Sequence, residues 1–296
     1  MSLTYQPGVL APSSPVGRSL SFSVAHESDP RAALARLREN FDPEWGVVGL
    51  GEPLIRALGH EIQGLRAFPA LSGSAHAIPS TQQDLWIFLR GADRGAIFDL
   101  SAKVFELLEG GFLLNDALDT FAYAGGRDLS GYEDGTANPS PEESVDVAIA
   151  NPSSGAPFSS FVAVQRWAHD LKRFRAHPEP ERDAIVGRRH ADNEEIDDAP
   201  ESAHVKRTAQ ETFTPTAFMV RRSQPWATDR GEGLEFIAYA ASLDPFEQVL
   251  RRMAGLEDGI GDALFRFSRP LTGGYYWVPP VGGDKLDLSL AGIQPG

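Results

Sequence analysis

The stretch with the densest chemistry is Gly125 to Pro139, G-G-R-D-L-S-G-Y-E-D-G-T-A-N-P. Near its centre Asp134 lies between Gly131 and Gly135. Two glycines beside a carboxylate permit a tight backbone with positive φ. They also leave no side chain next to the Asp, so a flat group can come close. A carboxylate so placed can carry a proton. Taken alone, D-G followed by N-P is what a surface turn looks like, so this loop needs company to mean more. The chain also has seven histidines and no cysteine. Without cysteine there are no disulfides, thiolate nucleophiles, Cys-ligated zinc, iron–sulfur clusters, thiolate-ligated haem or haem attached through C-x-x-C-H. An isolated histidine is more often structural or at the surface than a ligand. That reading stands for His26, His60, His76, His169, His177 and His190.

The elements that must position such groups read as two repeats. Leu20, Phe22 and Val24 alternate with polar residues as a strand does. Asp29-Pro30 opens a helix with Ala33, Leu34, Leu37 and Phe41 on one face. Trp45 to Leu50 is a second strand, and Leu85 to Leu89 (L-W-I-F-L) a third that is apolar on both faces. Asp93 caps a helix striped by Ile97, Leu100, Val104 and Leu107, which Gly110-Gly111 ends. A strand from Phe112 to Thr120 leads into the glycine-rich loop. The order β-α-β-β-α-β then recurs: Phe161 to Trp167, helical Glu179 to Ile185, strands Ala217 to Arg222 and Leu234 to Ala240, a helix from Pro245 and a strand Tyr275 to Val278. The fold class expected is α+β, two ferredoxin-like halves in a dimeric α+β barrel-like architecture. The division is placed at 1–145 and 146–296, within a proline-rich stretch from Asn138 to Pro157. Glu179 to Ser202 is acidic and reads as a partly mobile surface excursion.

The chain has 296 residues, 42% hydrophobic and 23% charged, and a net charge of −14. These values suit a soluble globular protein. The acidic balance and the lack of a long basic run argue against nucleic acid as a partner and against anionic membrane surfaces. No apolar stretch approaches the ~18 residues of a membrane span. The first residues carry no basic run, long apolar core or twin arginine, so the expected compartment is the cytoplasm.

With its flanks, the loop around Gly131-Tyr132-Glu133-Asp134-Gly135 resembles the G-x-x-D-G signature of the dye-decolorizing peroxidases. Further segments match in order. They are Gln6 to Leu10, Phe68-Pro69, Pro79 to Leu85, Gly187-Arg188, Ser202 to Arg207 (S-A-H-V-K-R), and Val220-Arg221-Arg222-Ser223 with Pro225-Trp226. The matches span nearly the whole chain, and the short length is similar to that of the compact B-type group.

The resemblance implies haem b, held non-covalently and mainly by the second half. It implies His204 as the proximal ligand to the iron, with Asp262 as acceptor for the other ring N–H; a helix or strand cap is the plainer reading of Asp262. On the peroxide side it implies Asp134 to move a proton and Arg221 to stabilise charge on the leaving oxygen, with Arg222 offering the alternative register. Ser223 falls where relatives can have Asn. Arg188 matches a residue that pairs with a haem propionate, and Phe236 an apolar residue over the distal haem face. The reaction implied is reduction of hydrogen peroxide through a ferryl intermediate, with oxidation of dyes, phenols or other one-electron donors. A haem-binding or porphyrin-processing protein with incidental peroxidase activity is the alternative. Homo-oligomers are expected, and no encapsulin shell. A buried haem leaves no room for a bulky dye, so at least one of Trp167, Trp226, Tyr239 and Tyr275 is expected to relay electrons near the surface.

Overall fold

A computed structural model describes residues 2–71 and 77–294, so His76 lies outside the described residues. The first half runs β1 (Val16–Val24), α1 (Arg31–Asn40), β2 (Gly46–Gly51), β3 (Leu85–Gly91), α2 (Arg94–Leu108) and β4 (Phe112–Phe121). α2 starts as expected, with the Asp93 carboxylate accepting the Ala96 N–H at 2.9 Å and so satisfying one of the helix's free donors. The linking segment then forms a helix, α3 (Pro141–Ala148), that the sequence reading did not anticipate. Its signal was present. Ser140 and Glu143 cap each other's backbone N–H groups, with Pro141 at the first helical position, a standard helix start.

The second half runs β5 (Ser160–His169), α4 (Glu179–Val186), α5 (His204–Arg207), β6 (Val220–Arg221), β7 (Gln224–Thr228), β8 (Gly231–Ala240), α6 (Asp244–Met253) and β9 (Gly274–Val278). The strand expected from Ala217 to Arg222 is therefore only Val220–Arg221, and a further short strand, β7, follows it unanticipated. Arg222 N–H still donates to Ile237 O at 2.8 Å, but Ile237 N–H turns to the Ser223 hydroxyl at 3.3 Å. A side-chain oxygen thus takes the place of a ladder carbonyl and keeps the donor satisfied.

Strand order across the sheet is β4-β1-β3-β2-β9-β5-β8-β6, with β7 also on β8. Each half has its fourth, first, third and second strands in that spatial order, all antiparallel. This is the ferredoxin-like arrangement expected. The halves join where Leu50 and Gly51 of β2 pair with Trp277 and Tyr276 of β9. The far edges also meet, through side chains. Thr120 donates to Gln224 Oε1 at 2.9 Å, and Arg166 of β5, two strands in from the edge, reaches across to pair with Asp116. The sheet is thereby curled into a barrel.

Period-two alternation sorts the side chains. Val47, Trp86, Phe88, Val162, Ile237 and Tyr239 share the inner cluster, while Leu50, Leu85, Ile87, Phe161 and Trp277 face the helices. β3 is buried on both faces for this reason. Among the described residues no helix is long and apolar enough to cross a membrane.

The closing seam gives a test. Gln224 is 1% exposed, and its amide also donates to Ser14 O at 2.6 Å. Gln224→Leu should strand the Ser14 carbonyl and the Thr120 hydroxyl and cost about 2 kcal/mol, measured as a lower denaturant midpoint. An unchanged midpoint would mean that the seam contributes nothing to closure.

Candidate active site

The helix-facing side of the second half opens into a cavity of about 1030 Å³, counting its open mouth. Strand parity decides what lines it. Val220 faces the barrel core, so Arg221 faces the other way and lines the cavity with Gln165, Trp167 and Phe236. From α6 come Phe246, Val249, Leu250 and Met253. His204, the first residue of α5, and Asp134 are among its polar lining.

His204 Nδ1 lies 2.8 Å from Asp262 Oδ2. The other oxygen of Asp262 accepts the Leu264 N–H at 2.8 Å. The two readings of Asp262 are therefore both met: one carboxylate caps a turn and orients an imidazole. With Nδ1 as the donor, Nε2 keeps its lone pair free for the cavity. His169 also lines the cavity, but its two ring nitrogens are engaged, by Ser268 at 2.7 Å and Asp128 at 3.2 Å. That contrast separates a potential ligand from a structural histidine. Burial works to raise the Asp128 carboxyl, but the bond and charge of His169, with help from Ser130, hold it below its ordinary value.

The glycine-rich loop has the predicted backbone, with φ of +94° at Gly131 and +77° at Gly135. Asp134 Oδ1 accepts the Gly135 N–H at 2.7 Å. Enclosure pushes Asp134 above the usual carboxylate range, against the opposing pull of the Arg221 cation. Asn138, from the same loop, clamps Arg221 by its main chain. Its Oδ1 accepts the Arg221 N–H at 2.8 Å and its Nδ2 donates to the Arg221 carbonyl at 3.2 Å. The guanidinium is left unspent, with Nε buried and without a hydrogen-bond partner. Arg222 is committed elsewhere, donating to Leu10 O and Ala11 O at 2.9 Å each. A second cavity, about 1320 Å³ with its mouth, shares Asp134, Arg221 and Leu234 with the first. Asp134 and Arg221 therefore stand where the two spaces meet.

The structure thus brings His204, Asp134, Arg221 and Phe236 to one cavity, with Asp262 behind His204. Ser223 lines the second cavity instead. Arg188 is outside both linings, bonded to Asn193 O at 3.0 Å and Glu195 at 3.2 Å. Three residues were missed from the sequence: Asn138, Gln165, and Gln210, which ties Ala137 O to Met219 N–H. Only Asn138 had a signal, as part of the loop motif. The excursion after α4 is also tethered, since Asn193 donates to Glu133 at 2.8 Å and Thr136 at 3.1 Å.

These residues suit haem. The apolar walls match a flat macrocycle, and the orphaned donors Arg221 Nε and Gln165 Nε2 await an occupant with acceptor oxygens. Among the described residues no group of three or more His, Asp or Glu could hold a bare metal ion. A single free imidazole fits an iron whose other ligands come from a macrocycle.

Residues 125–282 match the family described as Dyp-type peroxidase, C-terminal. A dye-decolorizing peroxidase of Rhodococcus erythropolis is 31% identical over 288 residues, 94% of this chain and 80% of its own. The chain belongs to the Dyp-type peroxidase family. Another dye-decolorizing peroxidase, from Brevibacterium linens, is also 31% identical, over 78% of this chain and 65% of its own length. Among solved structures, a dyp-type peroxidase protein of Shewanella oneidensis superposes with a TM-score of 0.89 over the whole of both chains, at 23% identity. DyPB of Rhodococcus jostii RHA1 gives 0.84 at 27%, covering 92% of this chain and 94% of its own. A variant of that DypB was solved in complex with heme. The expected fold and the expected haem peroxidase family are both borne out.

For this Dyp-type chain the clamp on Arg221 should be measurable without any ligand. Asn138→Ala strips two hydrogen bonds from a partly buried main chain and should lower the stability of the haem-free protein by about 1–3 kcal/mol. A loss within error in denaturant unfolding would show that the Asn138 amide does not hold loop and strand together.

Proposed function

We propose that the chain binds haem b non-covalently through His204 and reduces hydrogen peroxide, with Asp134 and Arg221 working on the peroxide. The observation that carries this reading is a single cavity holding an Asp-oriented imidazole with one free nitrogen, a carboxylate and an unspent guanidinium. Haem bound there would supply the iron that takes the peroxide and the electrons that cleave its O–O bond.

The chain's own residues do the rest. Asp262 holds His204 Nδ1–H and makes Nε2 a stronger donor to a metal. Asp134 accepts a proton from one peroxide oxygen and returns it to the other, which departs as water. Arg221 faces the charge that develops on that departing oxygen, in a cavity where apolar walls leave little water to compete. Asn138 keeps the strand bearing Arg221 in register with the loop bearing Asp134. The second cavity reaches both groups and is the way in for a small peroxide. Dyes, phenols or other one-electron donors complete the cycle. A haem carrier would have no use for a proton-moving carboxylate beside a fixed cation, and that favours the peroxidase over the binding protein.

Haem ligation is tested by His204→Ala. This variant should lose haem or bind it in a form that added imidazole restores, followed by absorption. A parent-like spectrum without imidazole would remove His204 from the iron.

The pH profile tests Asp134. Enclosure favours its neutral form, so it becomes protonated at a pH above the ordinary carboxylate range. The reaction with peroxide should slow as pH falls through that raised value and level off above it. Asp134→Asn should be slow throughout and lack this limb. The ionised group also opposes folding at neutral pH. Asp134→Asn should therefore stabilise the haem-free protein at pH 7 and lose that advantage in acid, where the native side chain is neutral as well. A rate profile that Asp134→Asn leaves unaltered would contradict the role.

A further inference from the structure

Haem seated in the cavity would leave no room for a bulky donor at its centre, so an oxidisable side chain must connect the cavity to the surface. The four aromatic residues expected for this are all buried, Trp167 at 5%, Trp226 at 6%, Tyr239 at 1% and Tyr275 at 0% exposed. Trp167 alone of the four lines the cavity. Tyr239 belongs to the barrel's inner cluster, and the buried hydroxyl of Tyr275 has no hydrogen-bond partner. The last point matters because a phenol that loses an electron becomes strongly acidic. A relay tyrosine therefore needs a base at its hydroxyl.

Tyr132 is itself only 4% exposed, but its neighbours let it meet both requirements. It lines the cavity, and its hydroxyl donates to Asp183 Oδ1 at 2.5 Å. Its ring stands edge-on to that of His190, centroids 5.1 Å apart and planes at 70°, and His190 is exposed. His190 N–H donates to the same Asp183 oxygen at 3.0 Å. The approach of His190 depends on Gly131, where a Cβ would lie 2.9 Å from His190 Nε2. One ring thus touches the cavity on one side and a solvent-facing imidazole on the other, with a carboxylate at its hydroxyl. Burial, then the Asp183 carboxylate, push the phenol far up, so at rest the proton stays on Tyr132.

We propose that Tyr132 is a one-electron relay between the haem site and the surface beside His190, with Asp183 as its proton acceptor. The proposal rests on the haem reading above. With haem bound and oxidised by peroxide, the Tyr132 ring would give up one electron to it as the phenolic proton crosses to Asp183 Oδ1, leaving a neutral tyrosyl radical. A bulky aromatic donor at the surface then gives up one electron, Asp183 returns the proton, and Tyr132 is restored with the donor oxidised by one electron.

The test uses haem-loaded protein, its loading read by absorption. Freeze-quenched samples taken after one equivalent of peroxide are examined by electron paramagnetic resonance, with and without ring-deuterated tyrosine. The parent should show a tyrosyl signal that deuteration narrows. Tyr132→Phe should lose that signal and lower turnover of a bulky dye at least about tenfold relative to a small phenol, a difference of ~1.4 kcal/mol in barrier. Asp183→Asn keeps an oxygen for Tyr132 and His190 but no base, and should lower both readouts in the same direction. A signal and a dye-to-phenol ratio untouched by Tyr132→Phe would overturn the relay. If only Asp183→Asn is without effect, Asp183 is not the acceptor. Failure to bind haem at all would instead sink the reading on which the relay rests.

Discussion

A carboxylate, a guanidinium and an imidazole share one largely apolar cavity, and each has lost hydration that nothing in such walls returns. Removing charge from water is costly unless partners replace the water, and most of the local structure supplies those partners. Asp262 serves His204, Gly135 N–H serves Asp134, and the opposite charge of Arg221 serves Asp134 across the space. The compensation is incomplete where reaction is expected. Asp134 is held above its ordinary pKa and Arg221 Nε has no partner. Groups kept short of partners are ready for a ligand, and the fold bears their cost elsewhere.

Position is held by main chain more than by side chain. Asn138 grips the backbone of Arg221 from both sides, and Gln210 spans from the loop to the segment before β6. Because these bonds spare the guanidinium and the carboxylate, they set the spacing of the reacting groups without neutralising them. α4 and the region after it add to the same loop, through the Tyr132–Asp183 bond and through Asn193.

The barrel contributes direction. Antiparallel pairing with period two sends Val220 inward and Arg221 outward, so a one-residue slip would exchange Arg221 for Arg222. Register is pinned on both flanks, by the β8 pairing at Tyr239 and Ala238 and by the bonds of Arg222 to Leu10 and Ala11. The first half, which lends no residue to the sheet wall of the cavity that holds His204, helps to fix the site in this way and by closing the seam at Gln224.

Much was legible without coordinates because it is local. Alternation in L-W-I-F-L, the apolar stripe of α2, the Asp93 cap and the positive φ at Gly131 and Gly135 follow from steric and hydrogen-bonding rules acting within a few residues. The loop and its companion segments also carried the family, and with it the expectation for His204, Asp134 and Arg221. Tertiary structure decided what depends on residues far apart in the chain. His204 and His169 differ in whether a second partner claims the remaining nitrogen and in how deeply the ring is buried. Arg221 and Arg222 differ only in which face of β8 they meet. Arg188 and Ser223 were matched to haem-site positions by pattern, and only the fold shows their bonds to Glu195 and to Ile237 N–H. Asp262 lies 58 residues from His204, and Asn138 lies 83 from Arg221. No local periodicity encodes such pairs, because each is made only when separate strands and loops have packed and the burial of one group obliges another to answer it.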